Sequence, residues 1–377
     1  MTIGIPKETF PGEHRVAFIP SSVDRIVKKG AQVIIEAGLG ASIGIADEEY
    51  KKAGAGIETN RQALLSSADI TLRLRKPPID EVSLLKKGSI HISFLDPFNE
   101  KTLVQALAQN HISAFSMEMI PRTTRAQKMD ALSSQANLAG YVTVILAAER
   151  LPKIFPMLMT PAGTIAPARV FIIGAGVAGL QAIATAKRLG ARVEAFDTRA
   201  VVKEQVQSLG AKFVEIDLGE TGQTAQGYAK ALSPEQLEKQ RQGMAKICAQ
   251  SDVIITTAQL FGRRAPVVLT KDMLAQMKPG TIIVDMAVES GGNVEGSKVN
   301  EEVLTSNGVR ILGIGNLPGR VAIHASQMYS ANLHNLLEEY WDKDSKAFKI
   351  NLEDEIIKGA LITYQGQIVN EMVKGMK

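Results

Sequence analysis

The glycines in Val170-Phe-Ile-Ile-Gly174-Ala-Gly176-Val-Ala-Gly179 have the spacing of a phosphate-binding loop. The loop follows an apolar strand pattern and opens a helix pattern that ends at Gly190. Gly174 permits a tight turn, Gly176 lets the backbone approach a pyrophosphate, and Gly179 lets the helix pack closely on the strand. We interpret the segment as a dinucleotide site with a helix N-terminus directed at the anion, the alternative being an ordinary turn without a cofactor.

A carboxylate ends the next strand pattern, at Asp197. In dinucleotide-binding folds a carboxylate at this place accepts hydrogen bonds from the adenosine ribose hydroxyls and would repel a 2′-phosphate. We therefore expect NAD(H) rather than NADP(H). Arg199 is discordant with this expectation, because an arginine nearby can accommodate a 2′-phosphate.

A polar segment, residues 117–137, follows the last strand pattern of the first half of the chain. Ligands of open α/β sheets bind beyond the carboxyl ends of strands, so this segment is well placed for binding. Arg122 and Asp130 offer donors and an acceptor suited to a nicotinamide carboxamide, and Ser133 offers a hydroxyl. A capped helix start with solvated charges explains the same residues equally well, since Asp130 and Ser133 are capping residue types.

A group that moves a proton during hydride transfer is not evident. Dehydrogenases that act on a hydroxyl or an amine mostly use His or Lys for this purpose. None of the five histidines stands at an evident carboxyl end of a strand pattern, which favours surface or structural roles for His14, His91, His111, His324 and His334. Spacings typical of metal sites or of activated nucleophiles do not occur, so we expect no metal site.

Strand patterns alternate with helix patterns almost throughout, which predicts parallel sheets covered by helices. In the first half the strand patterns are residues 3–6, 32–36, 69–74, 90–95 and 112–117. In the second half they are residues 170–173, 192–196, 212–216, 252–256, 281–285 and 309–313. Six such strands make a complete nucleotide-binding sheet.

Two long helix patterns lie at residues 129–151, where Gly140 is expected to break the helix, and at residues 325–341. We predict an α/β fold of two Rossmann-like parallel-sheet domains joined by these two long helices. The N-terminal domain would comprise residues 1–132 completed by the tail 331–377. The NAD(H)-binding domain, with the bridging helices, would comprise residues 133–330.

The composition excludes several classes of protein. The 377 residues carry a formal net charge of +4 without a basic block, which argues against a nucleic-acid partner. The single cysteine, Cys248, excludes an intrachain disulfide. The first residues lack a signal-peptide pattern, and no run of 18 apolar residues occurs, so we expect no membrane insertion.

Several segments together resemble the NAD(H)-binding component, domain I, of proton-translocating NAD(P) transhydrogenases. The segments Ile5-Pro-Lys7-Glu8 and Pro11-Gly-Glu13-His-Arg15-Val-Ala17 mark the wider superfamily, which includes alanine dehydrogenases. The specific match is Pro121-Arg-Thr-Thr-Arg-Ala-Gln-Lys-Met-Asp-Ala-Leu-Ser-Ser-Gln-Ala-Asn-Leu-Ala-Gly-Tyr141, the nicotinamide loop. Further matches are residues 174–190, 203–210, 227–230, 256–258 and 285–293.

The resemblance implies a role for each matching residue. Arg122, Asp130 and Ser133 would hold the nicotinamide of NAD(H), and Gln127 would reach toward NADP(H) on a partner. The other nucleotide contacts implied are Thr123, Thr124, Arg125, Lys128 and Met129 in the loop, Gly174, Gly176, Val177 and Gly179 at the pyrophosphate, Asp197, Thr198 and Arg199 at the ribose, Gly227 and Tyr228 in a loop that closes over the nucleotide, and Gln240 and Gln259. Lys128 and Ala136 depart from the family, which often has Ser at both positions.

The implied activity explains the missing acid or base. Hydride that passes directly between two nicotinamides liberates no proton, so the site need only orient the rings and bring them close. Proton translocation would belong to other polypeptides, an NADP(H)-binding domain III (beta subunit) and a membrane-spanning domain II. We expect a homodimer, docked on the cytoplasmic face of a bacterial membrane.

Two alternatives belong to other classes. An alanine dehydrogenase carries a Lys in a Lys-Glu-Pro context and a catalytic His at a strand end, where this chain has Arg75-Lys76-Pro77 and Phe94-Leu95-Asp96. Both catalytic identities are therefore lost. A non-catalytic NAD(H)-binding module is the second alternative, although it would not need the nicotinamide loop.

Overall fold

The computed structural model describes residues 1–223 and 229–375. The chain divides into two compact units, unit 1 (Met1–Gln135 with Val321–Lys377) and unit 2 (Ala136–Arg320). The described elements of unit 1 that precede the long central helix are β1 (Thr2–Ile5), α1 (Pro20–Val27), β2 (Gln32–Glu36), α2 (Asp47–Lys52), β3 (Ala55–Glu58), α3 (Arg61–Ser67), β4 (Ile70–Leu72), β5 (Ile90–Ser93), α4 (Lys101–Gln109) and β6 (Ser113–Ser116).

The long helix α5 (Ala131–Arg150) carries the chain from unit 1 into unit 2. Unit 2 continues with β7 (Leu158–Thr160), β8 (Gly163–Ile165), β9 (Arg169–Ile173), α6 (Val177–Arg188), β10 (Arg192–Phe196), α7 (Lys203–Ser208), β11 (Lys212–Phe213), α8 (Pro234–Gln250), β12 (Val253–Thr256), α9 (Lys271–Ala275), β13 (Ile282–Asp285), β14 (Glu301–Leu304) and β15 (Arg310–Gly313). The chain then returns to unit 1 with α10 (Ala322–Tyr340), β16 (Trp341–Asp342), β17 (Ala347–Phe348), α11 (Glu355–Ala360), β18 (Leu361–Tyr364), β19 (Gln367–Ile368) and α12 (Glu371–Lys374).

Unit 1 contains an eight-stranded sheet with the order β19-β18-β6-β5-β4-β1-β2-β3. The six strands from β6 to β3 pair in parallel, and the C-terminal hairpin of β18 and β19 adds two antiparallel strands at one edge. Every residue of β4, β5 and β6 is buried, as expected of parallel strands covered on both faces.

Unit 2 contains a seven-stranded sheet with the order β11-β10-β9-β12-β13-β15-β14. All pairs are parallel except β14 with β15 at the edge. The six parallel strands follow the order 3-2-1-4-5-6 of nucleotide-binding sheets, with β9 in the centre. The prediction of an α/β fold with two Rossmann-like parallel sheets is confirmed. The strands that the sequence did not predict, such as β3, β14 and the hairpin of β7 and β8, are short and have exposed positions.

The predicted break of the long helix at Gly140 is wrong, because α5 runs without interruption from Ala131 to Arg150. A Cβ added at Gly140 would lie 2.2 Å from the carbonyl oxygen of Ala178 in α6. The glycine therefore permits a close approach of helix α5 to α6 within unit 2.

Helix α5 is the one helix among the described residues that is long and apolar enough to span a membrane, by length and composition alone. Half of its apolar window is buried inside the protein. A core helix has the same properties, so this finding gives little support for a span.

The close approach at Gly140 predicts an unusual sign for a substitution. In an open helix Gly→Ala stabilises by about 1 kcal/mol, but here the Cβ meets a backbone oxygen that a rotamer change cannot move. We expect Gly140→Ala to lower the free energy of unfolding by about 1–3 kcal/mol, measured by urea titration. Asn137→Ala, at an exposed position of the same helix, is the control and should change stability by less than about 0.5 kcal/mol. A stabilised Gly140→Ala variant would contradict the proposed contact.

Candidate functional site

The phosphate loop of unit 2 has the backbone that its glycines allow. Gly174 follows β9 with φ +101°, a conformation that side chains disfavour. A Cβ on Gly179 would lie 1.9 Å from the carbonyl oxygen of Gly174, so the first turn of α6 packs directly on the loop. At Gly176 an added Cβ would find its nearest neighbour at 3.9 Å, the Nη2 of Arg199. The loop thus leaves open space at Gly176, where a nucleotide backbone must approach.

The N-terminus of α6 suits an anion. Its N-cap residue is Gly176, which has no side chain to accept the N–H groups of the first turn. These N–H groups and the positive end of the helix dipole are the usual partners of a pyrophosphate. Val177, the first residue of the helix, is partly buried. The residues present therefore fit the pyrophosphate of a dinucleotide.

Asp197 is buried at the end of β10 and accepts four hydrogen bonds from two residues. The Ala175 N–H donates to Oδ2 at 2.7 Å, and the Arg199 N–H donates to Oδ1 at 2.8 Å. The Arg199 guanidinium donates through Nε at 2.9 Å and Nη2 at 2.7 Å. Hydrogen bonding to the carboxylate raises the pKa of Arg199. The discordant arginine of the sequence is thus the ion-pair partner of the ribose carboxylate.

The polar loop of unit 1 is anchored from several sides. Ala126 and Met129 are fully buried and fix the short 3₁₀ turn Gln127–Met129. Arg125 donates to Asp354 at 2.6 Å. Burial acts to raise the pKa of Asp354, but the hydrogen bonds from Arg125 and Tyr340 outweigh it and lower the pKa to about 2.

Further contacts hold the same loop. The carbonyl of Lys128 accepts from two side-chain amides of α10, and its Nζ pairs with Glu339 at 2.9 Å. The Thr123 hydroxyl donates to Glu355 at 3.3 Å. The side chains of Arg122, Thr124 and Gln127 remain exposed.

Asp130 caps helix α5. Its Oδ1 accepts the N–H of Ser133 at 2.9 Å, and its Oδ2 accepts the Ser133 hydroxyl at 2.6 Å. The Nε of Arg122 lies 3.9 Å from the same Oδ2. The structure therefore brings Arg122, Asp130 and Ser133 together at the start of the helix, and it also shows the cap that the alternative interpretation expects.

The remaining predicted residues are distributed over unit 2. The carbonyl of Thr198 accepts from the Thr221 hydroxyl at 2.7 Å. Gln240 is buried on α8, and Gln259 is exposed after β12. Gly227 and Tyr228 lie outside the described residues.

A buried network after β13 was quoted in the sequence only as a segment of the resemblance. Asp285 is fully buried and accepts the backbone N–H groups of Ala287, Asn293 and Val294 at 3.0–3.2 Å. The Asn293 side chain bonds both backbone groups of Ala258, which ties this loop to the one after β12. An acid directly after an apolar strand and before a Gly-Gly pair was the available signal.

The described histidines do not form a proton-transfer group with a metal. Burial lowers the pKa of His91 to about 3, with a smaller effect of Arg73, so His91 is neutral at physiological pH. Among residues 1–223 and 229–375, no three His, Cys, Asp or Glu side chains are grouped to hold a metal ion.

Comparison with known proteins matches both units to one family. The family model "Alanine dehydrogenase/PNT, N-terminal domain" matches residues 4–139, and "Alanine dehydrogenase/PNT, C-terminal domain" matches residues 143–371. The chain is 45% identical over 382 residues to the first of the polypeptides that form the alpha subunit of the NAD(P) transhydrogenase of Rhodospirillum rubrum. The alignment covers 100% of this chain and 99% of that polypeptide.

Two further comparisons bear on the choice within the family. A transhydrogenase structure from Sinorhizobium meliloti has a TM-score of 0.88 at 43% identity and covers 98% of this chain and 100% of that one. An alanine dehydrogenase of Halomonas elongata is 30% identical over 333 residues, which is 87% of this chain and 84% of that one.

Two substitutions of Asp130 separate its cap from a contact with the nucleotide. Asp130→Ala should lower the free energy of unfolding by about 1 kcal/mol, because α5 loses its cap. Asp130→Ser should restore most of that stability but not the affinity for NADH, since the carboxylate stays absent. Urea titration and NADH fluorescence titration measure the two effects. NADH affinity restored together with stability would show that Asp130 serves only as a cap.

Proposed function

Because the chain belongs to the alanine dehydrogenase/PNT family, we propose that it is the NAD(H)-binding subunit of a proton-translocating NAD(P) transhydrogenase. The observation that carries the proposal is the anchored loop at the start of α5. It groups Arg122 with Asp130 and Ser133 and leaves Gln127 exposed. In this proposal NADH supplies the hydride, and NADP⁺ bound on a partner subunit accepts it.

Each portion of NAD(H) has a matching set of residues. The phosphate loop at Gly174, Gly176 and Gly179 would bind the pyrophosphate, and Asp197 would accept the ribose hydroxyls. The Arg122 guanidinium and the Asp130 carboxylate offer a donor and an acceptor for the carboxamide of the nicotinamide. The remaining loop, ribose and helix residues named from the sequence complete the proposed contacts.

Gln127 has a different proposed role. Its side chain is exposed on a turn whose flanking residues, Ala126 and Met129, are fully buried. A fixed backbone with an exposed amide is suited to position a second nucleotide that arrives on another subunit. Positioning of this kind is the whole catalytic contribution required, because direct hydride transfer liberates no proton.

The alanine dehydrogenase alternative is less well supported by the charged side chains of unit 1. Arg75 is paired with Glu13 at 2.8 Å and stacks over the Phe10 ring at 4.7 Å. Lys76 is paired with Glu100 at 2.5 Å and with Asp96 at 3.6 Å. Both cations are thus bound to carboxylates of the chain itself.

We also propose partners and a location for the chain. An NADP(H)-binding domain III (beta subunit) would receive the hydride, and a membrane-spanning domain II would translocate protons. The chain itself would be cytoplasmic and peripheral, on the inner face of a bacterial cytoplasmic membrane.

A homodimer is supported by the distribution of exposed apolar side chains. Of the 17 exposed large apolar side chains that the structure describes, seven lie between residues 141 and 165: Tyr141, Ile145, Ile154, Met157, Leu158, Met159 and Ile165. This exposed apolar segment includes the hairpin of β7 and β8. Concentrated apolar exposure of this kind marks an interaction surface.

Two variants should separate hydride transfer from NADH binding. Gln127→Asn shortens the reach without a change of charge, so it should leave the NADH Kd nearly unchanged and slow transfer to an NADP analogue. Asp197→Asn should weaken NADH binding by about 1–3 kcal/mol, since charged acceptors bind hydroxyls more strongly. At saturating NADH its rate of transfer should survive. Both are measured with NADH titration and single-turnover transfer to a purified domain III.

The same assay contains its controls. The wild-type chain with domain III should transfer hydride, and with alanine it should show no NAD-linked turnover. Turnover of alanine at ordinary dehydrogenase rates would favour the alternative function. Equal losses of NADH affinity in Gln127→Asn and Asp197→Asn would contradict the separate roles.

The homodimer is tested on the hairpin. Met159→Glu places a charge on a side chain that is 80% exposed, so it should not disturb the fold of the subunit but should weaken the dimer. Sedimentation velocity over a range of concentrations should show a larger fraction of monomer. Leu304→Glu, at an exposed apolar position of β14 outside the segment, is the matched control and should remain dimeric. A wild-type chain that is monomeric at all concentrations would contradict the proposal.

A further inference from the structure

The ion pair of Asp197 and Arg199 leaves the carboxylate without spare acceptor positions. An ionised carboxylate has about four lone-pair positions. Two of them accept backbone N–H groups, of Ala175 and of Arg199, which the loop and the strand end hold in place. The other two accept Nε and Nη2 of the Arg199 side chain. A new hydrogen-bond donor must therefore displace the guanidinium.

The guanidinium presents donors in the same way as a ribose. Arginine binds carboxylates through two parallel N–H groups, one to each oxygen. The 2′- and 3′-hydroxyls of an adenosine ribose also form a pair of neighbouring donors for one carboxylate. Arg199 therefore occupies the face of Asp197 that a ribose would use.

Arg199 also lies close to the phosphate loop. Its Nη2 is the nearest atom to the position of a Cβ on Gly176, at 3.9 Å. The Arg199 side chain is 13% exposed, so the guanidinium fills this region of unit 2 rather than projecting into solvent. A nucleotide that binds at Gly176 and Asp197 must share this space with the guanidinium.

We propose that Arg199 is a specificity-determining residue that occupies the ribose face of Asp197 and turns away when an adenosine ribose binds. The inference rests on the proposed function, since it concerns the same nucleotide. It has two consequences. Opening of the pair weakens the binding of every adenosine nucleotide, and the displaced cation lies next to the 2′ position, where it reduces the discrimination against a 2′-phosphate.

The ratio of two dissociation constants isolates this effect. 5′-AMP and adenosine 2′,5′-bisphosphate differ only in the 2′-phosphate, so effects of Arg199 on the 5′-phosphate cancel in their ratio. In Arg199→Met the unpaired Asp197 should repel the 2′-phosphate. The Kd of the bisphosphate relative to that of 5′-AMP should rise about tenfold or more. The Kd of adenosine, which has no phosphate, should fall about threefold or more, because no pair has to open.

Two further variants keep the test specific. Arg199→Lys retains the charge without the paired donors, so its ratio should stay near that of the wild type while adenosine binds more tightly. Arg192→Met makes the same change at an exposed position at the start of β10 and should alter neither value. Calorimetric titration gives the constants, and thermal melting confirms that the variants are folded.

The outcomes are distinct. An unchanged ratio in Arg199→Met, with adenosine bound no more tightly, would overturn the inference and leave Arg199 as a support of Asp197. Failure of the wild-type chain to bind 5′-AMP or NADH would instead overturn the proposed function. Nucleotide binding by the wild type with an unchanged ratio in the variant rejects the inference alone.

Discussion

A buried guanidinium, that of Arg15, constrains the arrangement of unit 1. A charge in the core is costly unless its donors are satisfied. Both carboxylate oxygens of Glu13 accept from it at 2.7 Å, and Gln135 accepts from it at 2.8 Å. Gln135 in turn donates to the carbonyl of Ala325. Burial acts to raise the pKa of Glu13, but Arg15 and Arg75 lower it to about 2. The first turns of α5 and α10 are thereby fixed to the loop that follows β1.

The proposed nicotinamide residues depend on this arrangement, since they lie immediately before Gln135. Their positions are set by contacts that involve no catalytic chemistry: the burial of Ala126 and Met129 and the ion pair of Arg125 with Asp354. A reaction that needs only closeness and orientation is well served by such rigid support. The site is therefore better described by how its loop is anchored than by any acid or base within it.

Unit 2 uses two buried aspartates in opposite ways. Asp285 accepts from backbone N–H groups and from the Thr256 hydroxyl, so its partners belong to the sheet and its adjacent loop. Two of the four hydrogen bonds of Asp197 come from a side chain that can rotate. A carboxylate held by fixed donors stabilises a loop, whereas one held by a movable cation can exchange that cation for a ligand. Burial alone does not distinguish the two residues.

The sequence by itself determined the parallel sheets, the phosphate loop and the family, because these depend on local patterns: apolar strand runs, glycine spacing and the residues 121–141. It did not determine what Gly140 does, since a glycine that breaks a helix and one that admits a neighbouring backbone look alike until Ala178 is placed at 2.2 Å. Nor could it show that Arg199 pairs with Asp197 or that Asp130 caps α5. Strands such as β14 were missed because their exposed positions give no apolar run. Only the tertiary structure decides which donor meets which acceptor, because hydrogen bonds depend on distance and direction rather than on separation along the chain.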